Sequence, residues 1–305
     1  MHSGRSGLLK GAAKSRGSLM MLIPGLVYFA VFCYGPMYGA VIAFKDYSLL
    51  TGIWRSPWCG FKHFASFFSS PSFWPLLRNT FLISVYKIIF GFPVAIALAL
   101  MLNEVANKRL KSIVQTISAV PHFVSWVVMA GIMTAMLSPT SGPVNEALKL
   151  AGLRPVFFLG SRQWFRPLLV MSEIWKESGW SAIIYLAAMA GIDPELYEAA
   201  RVDGASKYRQ MVSVTLPCIR ATIAVLFILR VGNILNAGFE QVFTLINPLV
   251  MSVGDIVDTW VYRNGLIHHQ YSLATAVNLF KSIVGMVLIA TSNWLVRRSG
   301  ERGIW

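Results

Sequence analysis

Polar and ionisable side chains lie inside several of the most apolar stretches of this sequence. Arg230 and Asn233 are three residues apart in one stretch, Glu240 or Gln241 continues their helical face, and Asn278 and Lys281 are similarly spaced elsewhere. Charged groups are costly in a bilayer and mark a solute path by default. Amides can hydrogen-bond a polar solute, aromatic rings can stack on it, and cations favour a carboxylate. The candidate path residues are Arg230, Asn233, Gln241, Asn278, Lys281, Trp175 and Lys176.

These same side chains have a second interpretation. They can pair with one another between helices, or with a neighbouring chain, without touching a solute. Lys87 has a further alternative, because a long lysine side chain can snorkel toward the membrane interface. The sequence leaves these alternatives open.

The polar segment 193–217 is the other stretch with specific chemistry. Asp193 can cap free amide groups at a helix start, and Pro194 suits the first helical position. Gly204 can adopt the left-handed conformation that ends a helix. The sequence therefore predicts a short capped helix that ends at this glycine.

A second helix is predicted from 205 to about 214, with Pro217 ending it and leading into the next apolar stretch. The segment is longer than the usual connection of about 2–8 residues between neighbouring helices. One interpretation is a solvated loop with internal ion pairs. The other, which we favour, is a folded segment that docks another protein.

Composition identifies the class of protein. Of the 305 residues, 55% are hydrophobic and only 13% are charged, whereas a soluble domain has about 25% charged residues. The net charge is +14, but most basic residues fall in short loops between apolar stretches, which indicates membrane topology rather than nucleic-acid binding. The sequence predicts an integral membrane protein.

Six stretches are long enough to cross a bilayer as helices, which takes about 20 apolar residues each. We expect an all-α membrane protein with six transmembrane helices in a single domain, 1–305. The first stretch follows a basic tail but is too long for a cleaved signal peptide. The predicted spans are approximately 20–44, 77–102, 113–137, 168–190, 219–245 and 275–296.

Lysine and arginine residues give the expected orientation. They concentrate in both tails and in the loops after the second and fourth spans. The positive-inside rule places these segments in the cytoplasm. Both termini and the segment 193–217 are therefore predicted to be cytoplasmic.

Catalytic and metal-binding signals are weak. The pattern Gly-x-x-x-x-Gly-Lys-Ser/Thr of ATP-binding loops does not occur, and no catalytic triad is apparent. Cys33, Cys59 and Cys218 lie far apart, and His268 and His269 lack the spacing of a helical metal pair. We expect no enzyme activity, no cofactor and no metal in this chain.

Segment 193–217 resembles the cytoplasmic signature of ABC importer permeases, and the resemblance extends over nearly the whole chain. Met211 and Ala221 depart from the family, which often has Phe and Pro at those positions. Stretches 186–197, 258–263 and 293–295 resemble the carbohydrate branch, in the subgroup for oligosaccharides and polysaccharide fragments that includes bacterial alginate importers. The signature itself is Glu198-Ala199-Ala200, Asp203-Gly204-Ala205 and Leu216-Pro217.

The resemblance implies a type I importer permease fold with a cytoplasmic coupling helix pair, in the cytoplasmic (inner) membrane of a bacterium. It implies a second and different permease subunit, two ATPase subunits that bind ATP and Mg²⁺, and an extracytoplasmic substrate-binding protein. Glu198 is then the expected partner of a basic ATPase residue. The implied docking residues are Glu198, Ala199, Ala200, Asp203, Gly204, Met211, Leu216 and Pro217.

The expected activity is import of oligosaccharides or polysaccharide fragments by alternating access. An acidic substrate such as alginate is a further hypothesis, motivated by Arg230 and Lys281. The alternatives are a secondary transporter or channel that needs no ATPase, and a membrane enzyme acting on lipid-linked sugar. Co-purification with an ATPase distinguishes the first alternative.

Overall fold

The computed structural model describes residues 16–298, Gly300 and Gly303. The basic N-terminal tail lies outside the described residues, as does most of the C-terminal tail. Helices account for nearly all of the described chain, and its β-structure is a single isolated bridge between Lys45 and Trp58. The predicted all-helical class is confirmed.

The first half of the described chain contains six helices. The apolar helix α1 changes between α, π and 3-10 geometry along its length. A sharp turn of 102° separates α5 from α6. The bounds are α1 (Arg16–Tyr28, continued by Phe29–Tyr34, Gly35–Met37 and Tyr38–Phe44), α2 (Gly52–Arg55), α3 (Lys62–Phe68), α4 (Phe73–Glu104), α5 (Lys108–Phe123) and α6 (Trp126–Leu137).

The second half contains eight helices of very different lengths. The longest are α8, α10 and α14, and short helices fill the connections between them. The bounds are α7 (Pro143–Leu150), α8 (Phe165–Ala190), α9 (Pro194–Val202), α10 (Lys207–Gly232), α11 (Phe239–Leu245), α12 (Met251–Gly254), α13 (Val257–Tyr262, continued by Arg263–Ile267) and α14 (Tyr271–Arg298). A 3-10 turn, Phe158–Gly160, precedes α8.

Four of these helices are long and apolar enough to cross a membrane: α1, α4, α10 and α14. The bent pair α5–α6 is a candidate for a fifth crossing. The helix α8 coincides with the predicted span 168–190, but Glu173, Lys176 and Glu177 lie in its first half. Its crossing of the membrane remains a prediction.

Residues 113–137 do not form the straight span that the sequence predicts. The helix α5 ends in a 3-10 turn that contains Pro121, and Ser125 begins α6 by accepting a hydrogen bond from the amide of Val128 at 3.3 Å. A proline without an amide hydrogen, followed at once by a helix cap, interrupts the backbone ladder. The predicted helix is therefore corrected to a bent pair.

The prediction of one helix over 219–245 is also wrong. The helix α10 ends at Gly232, and α11 begins at Phe239. Between them Ala237 and Gly238 have φ angles of 40° and 83°, in the left-handed region that a continuing α-helix does not use. Gln241 therefore does not continue the helical face of Arg230, because the two lie on different helices.

Contacts between Cα atoms divide the chain into two compact units. The first contains residues 1–68 and 264–279, and the second contains 69–263 and 280–305. In the first unit, the hydroxyl of Ser272 donates to the carbonyl of Lys45 at 2.6 Å and accepts from the amide of Tyr47 at 3.0 Å. The start of α14 is thus attached to the loop after α1.

The second unit contains two apolar core clusters around α8. One packs the first turns of α8 against α4, α6 and α11; the other packs its later turns against α4 and α10. Gly179 brings α8 so close to α5 that an added Cβ would overlap the carbonyl oxygen of Ser118. The helix α8 is therefore the central element of this unit, and it positions the polar groups described next.

Candidate functional site

The segment 193–217 folds as two linked helices. The side chain of Asp193 accepts a hydrogen bond from the amide of Glu195 at 3.0 Å, and Pro194 is the first residue of α9. Gly204 has a φ of 76°. The amide of Ala205 donates to the carbonyl of Ala200 at 2.8 Å, which closes the end of α9. The predicted start and end of this helix are confirmed.

The second helix of the segment differs from its prediction. It begins at Lys207, after Ser206 accepts a hydrogen bond from the amide of Arg209 at 3.3 Å. It does not stop at Pro217, because α10 continues through that position to Gly232. Proline is tolerated there because the helix has π geometry over Met211–Thr215, and such a segment need not supply the usual amide at position 217.

Side-chain hydrogen bonds join α9 and the turn after it to α10. The hydroxyl groups of Tyr197 and Thr215 are 2.9 Å apart, and the amide nitrogen of Gln210 donates to the carbonyl of Ala205 at 2.8 Å. Thr215 and Gln210 are buried. The two helices of the segment are therefore a connected structure rather than a solvated loop.

The predicted docking residues fall into two groups. Glu198, Ala199, Asp203, Gly204 and Pro217 are exposed, and Ala200 is half-buried. Met211 and Leu216 instead pack against the core cluster formed by α4, α8 and α10. The exposed group is accessible for docking, whereas Met211 and Leu216 attach the segment to α4 and α8.

The structure adds two residues that the sequence analysis missed. Val202 is 88% exposed and Tyr208 is 73% exposed, and both lie beside the turn at Gly204. Large apolar side chains that protrude next to a rigid turn are typical of an interface. Their alternation with charged residues hid them, because a single exposed apolar residue is common on any surface.

A cavity of about 430 Å³ lies between α4, α5, α8 and α10. His122 and Trp180 stack in it with ring centroids 4.7 Å apart and planes at 3°. Glu177 holds the imidazole through a contact of 2.8 Å to Nδ1. Arg230 and Asn233 line the same cavity from the end of α10. The cavity thus offers a flat aromatic surface beside a cation and an amide.

Arg230 remains accessible although it has an acidic neighbour. Its guanidinium is 3.6 Å from Glu173, and its side chain is 42% exposed. Asn233 donates to the carbonyl of Leu229 at 2.9 Å and accepts from Asn236 at 2.9 Å. Both side chains can present donors to a solute in the cavity.

Lys87 does not snorkel. Its ammonium group is buried, donates to the carbonyl of Ala237 at 2.9 Å, and contacts Glu173 at 3.4 Å. It also donates to Oε1 of Gln241. The amide nitrogen of Gln241 in turn donates to the carbonyl of Leu169 at 2.7 Å and to the hydroxyl of Ser172 at 2.8 Å. We call Lys87, Glu173 and Gln241 the buried polar cluster.

Lys176 is likewise placed by backbone groups. Its ammonium donates to the carbonyls of His122 at 2.5 Å, Val124 at 2.7 Å and Pro121 at 3.3 Å. The carbonyl of Pro121 also accepts from the amide of Val124 at 3.1 Å. These carbonyls lie where α5 ends, so the lysine supplies donors at a helix terminus. Trp175 is 53% exposed on the same helix.

The two remaining predicted path residues are not among those that line this cavity. Asn278 is exposed in the part of α14 that belongs to the first unit. Lys281, in the second unit, pairs with Asp258 of α13, and both side chains are largely buried. The structure thus brings Arg230 and Asn233 together with His122 and Trp180, which sequence spacing did not indicate because they come from other helices.

Known proteins with this sequence pattern are transport permeases. Residues 91–302 match the family model described as binding-protein-dependent transport system inner membrane component. The chain is 47% identical to protein LplB of Bacillus subtilis over 94% of this chain and 90% of that protein. It is 46% identical to the polygalacturonan/rhamnogalacturonan transport system permease protein YteP of the same species, over 94% and 89% respectively.

Solved structures agree with these matches. A chain of a bacterial alginate ABC transporter, crystallised with an alginate pentasaccharide-bound periplasmic protein, superposes with a TM-score of 0.89 and 41% identity, over 97% of this chain and 99% of that chain. A second structure is of a bacterial ABC transporter involved in import of the acidic polysaccharide alginate. This chain superposes on it with a TM-score of 0.88 and 42% sequence identity, over 95% of this chain and 98% of that chain. The chain therefore belongs to the binding-protein-dependent transport system inner membrane components, the membrane-spanning permease subunits of ABC importers.

Proposed function

We propose that this chain is one permease subunit of an ATP-driven importer of acidic oligosaccharides in a bacterial cytoplasmic membrane. A second, different permease, two ATPase subunits and an extracytoplasmic binding protein complete the assembly. ATP and Mg²⁺ are bound by the ATPase subunits. The observation that carries the proposal is the exposed, capped helix pair at 193–217, which lies within the residues that match the permease family.

The exposed face of this pair has the chemistry of a docking surface. Glu198 and Asp203 supply charge, and Val202 and Tyr208 supply apolar area beside the turn. In the proposed complex Glu198 pairs with a basic ATPase residue, and the apolar side chains enter a cleft between ATPase helices or loops. Apolar anchors surrounded by polar groups are the usual composition of an interface centre and rim.

The connection from this surface to the cavity supports a route by which movement of the docked segment reaches the substrate path. The hydrogen bonds of Tyr197 and Gln210 fasten α9 and its turn to α10. The helix α10 then runs without a break for 26 residues to Gly232, which is about 39 Å at 1.5 Å per residue. Arg230 lies in its last turn. A displacement of the docked surface therefore moves Arg230 and the wall of the cavity, as alternating access requires.

The substrate class is supported by the cavity and by the relatives. Arg230 is an exposed cation beside the stacked rings of His122 and Trp180. A uronic acid residue offers a carboxylate to the first and an apolar sugar face to the second. Permeases of polygalacturonan/rhamnogalacturonan and alginate transporters, whose sequences are similar, handle acidic polysaccharides. We propose short polyuronide chains as the substrate.

The docking role is tested in proteoliposomes that contain the complete transporter. Glu198→Gln removes the charge that the ATPase would bind, and uptake and substrate-stimulated ATP hydrolysis should both fall about tenfold or more, since a charged hydrogen bond contributes about 1.5–3 kcal/mol. Glu195→Gln, three residues earlier on α9 and also exposed, is the matched control. Equal activity of the two variants, with the ATPase still bound, would remove the docking assignment.

The substrate class has a separate test. Oligogalacturonates and neutral oligosaccharides of the same length are compared as stimulators of ATP hydrolysis in the presence of the binding protein. Acidic chains should stimulate, and Arg230→Gln should raise their half-saturating concentration roughly tenfold while Arg230→Lys retains most of the response. Stimulation by neutral chains alone would show that the importer serves another sugar while leaving the docking result intact.

A further inference from the structure

The loop that follows α1 is held in a defined shape by backbone hydrogen bonds. The amide of Asp46 donates to the carbonyl of Pro57 at 3.0 Å, and the amide of Cys59 donates to the carbonyl of Phe44 at 2.9 Å. Lys45 and Trp58 form an antiparallel bridge between these two contacts. The carboxylate of Asp46 and the thiol of Cys59 are therefore placed next to each other by the backbone.

A histidine completes this group. His63 lies in the first turn of α3, and its Nε2 is 3.1 Å from Oδ1 of Asp46 and 3.2 Å from the carbonyl oxygen of Lys45. The carboxylate oxygen of Asp46, the sulfur of Cys59 and a ring nitrogen of His63 all lie within 4.8 Å of one another. All three side chains are half-buried and belong to the first unit.

Carboxylate, thiolate and imidazole together are a donor set that selects zinc. Calcium and magnesium prefer oxygen ligands alone, whereas Zn²⁺ binds sulfur, nitrogen and oxygen at about 2.0–2.3 Å. Ligand atoms around a tetrahedral zinc are then about 3.3–3.8 Å apart. The three donors here lie within 4.8 Å of one another, so each pair needs to approach by about 1.5 Å or less to reach this geometry.

We propose that Asp46, Cys59 and His63 form a zinc-binding site, with a water molecule as the fourth ligand. The transport cycle as proposed above does not require this site. No metal is expected here from the sequence, because the three cysteines lie far apart. Asp46 is 13 residues from Cys59 and joins it only through the backbone contacts of the loop.

The ammonium group of Lys62 competes with a metal ion for the carboxylate of Asp46. Its ammonium group is 2.9 Å from Oδ2 and 3.1 Å from Oδ1 of Asp46. These contacts already balance the charge of the Asp46 carboxylate. The side chain of Lys62 is 62% exposed and can swing into water when a cation takes its place. Removal of this lysine should therefore strengthen metal binding.

Bound zinc would fasten three segments to one another: the start of the loop after α1 through Asp46, the residues before α3 through Cys59, and α3 itself through His63. A ligand that binds only the folded state stabilises that state by mass action. The metal would therefore act as a structural clamp on this loop, independent of which solute the transporter carries.

The test uses the purified transporter in which Cys33→Ser and Cys218→Ser leave Cys59 as the remaining thiol of this chain. Addition of Co²⁺, which replaces zinc in such sites, should give a thiolate-to-cobalt charge-transfer absorption at one equivalent per permease, and Zn²⁺ should displace it. Spectra are taken as differences against the same assembly with Cys59→Ser added. An identical spectrum in the two assemblies would overturn the proposal.

Variants of Asp46, His63 and Lys62 distinguish a three-ligand metal site from metal binding to the thiol of Cys59 alone. Asp46→Asn and His63→Gln should each weaken Co²⁺ binding about tenfold or more, whereas Lys62→Met should tighten it several-fold. This gain cannot arise from misfolding. Affinity that is unchanged in all three variants would show adventitious binding to the cysteine, and the proposal would fail.

Discussion

Lys87 shows how a single residue can define the interior of this protein. Its ammonium joins a carboxylate of α8 and an amide of α11 with a backbone carbonyl released by the break at Ala237. A buried cation is stable only when such partners compensate for the water it has lost. The residue therefore holds the start of α11 against α4 and α8.

Removal of this charge should destabilise the permease. Lys87→Met leaves Gln241, Glu173 and the carbonyl of Ala237 without their donor, and breaking a buried pair costs about 3–5 kcal/mol. We expect a lower thermal unfolding midpoint in detergent and loss of transport. Lys108→Met, at an exposed position in the first turn of α5, serves as the control for loss of a lysine. Equal midpoints for the two variants would mean that the buried polar cluster adds no stability.

At the scale of helices, two helical glycines differ in the space available around them for a Cβ atom. Gly179 of α8 faces the backbone of α5 so closely that a Cβ would overlap Ser118, whereas nothing lies within 4 Å of a Cβ added at Gly131 of α6. Glycine weakens a helix relative to alanine by about 0.5–1 kcal/mol. The first glycine is thus required by packing, and the second is not.

The same substitution should therefore have opposite effects at the two positions. Gly131→Ala should leave the unfolding midpoint unchanged or slightly higher, because helix propensity rises without a clash. Gly179→Ala should lower it, since α8 must move away from α5, and the stacked pair of His122 and Trp180 should be disturbed with it. Thermal unfolding and substrate-stimulated ATP hydrolysis measure both effects, and a stabilised Gly179→Ala would contradict the close approach.

The turn between α9 and α10 depends on one left-handed residue. Gly204 has a φ of 76° with open space around its Cα, so backbone strain rather than a clash limits substitution. Gly204→Asn should retain transport because asparagine tolerates this conformation, whereas Gly204→Val should lose it at an added cost of roughly 1–2 kcal/mol. Substrate uptake is measured together with the amount of permease inserted in the membrane. Equal uptake by both variants would show that the turn is not needed to couple ATP hydrolysis to transport.

Considered as a whole, the chain is a membrane-spanning permease whose polar and charged segments are unevenly distributed. The basic loops and tails predicted to be cytoplasmic include the segment 193–217, while the segments after α1 and after α6 fall on the opposite side if there are six crossings. Whether the chain crosses the membrane six times depends on α8, because the first half of this helix contains the charged residues Glu173, Lys176 and Glu177. Orientation is therefore a property of the entire molecule that labelling can measure.

Two positions report the topology directly. In a chain whose three cysteines are replaced by serine, a cysteine at Arg154→Cys should react with a membrane-impermeant thiol reagent applied to intact cells. A cysteine at Glu198→Cys should react only after the cytoplasmic face is opened. Both wild-type residues are exposed, so access to solvent is not limited by packing. Reaction of Glu198→Cys in intact cells would reverse the predicted orientation and remove the coupling assignment.

The sequence alone determined the features that depend on short-range chemistry. Apolar stretches of membrane length predicted the helical class, and Asp193, Pro194 and Gly204 predicted both ends of α9. Helix caps, prolines and left-handed glycines act within a few residues, so the local sequence is enough to predict their effect. Positions of this kind also supplied the resemblance that the family match confirmed.

The tertiary structure decided which buried groups meet. Lys87 reaches Gln241 across 154 residues, and His122 reaches Glu177 across 55. It also broke the predicted fifth span, because the carbonyl of Ala237 is satisfied by a lysine from another helix instead of by the next turn. Helical periodicity reports the face on which a side chain lies. The partner on that face is set by packing between distant segments, since a buried polar group is stable only where the whole fold supplies its hydrogen bonds.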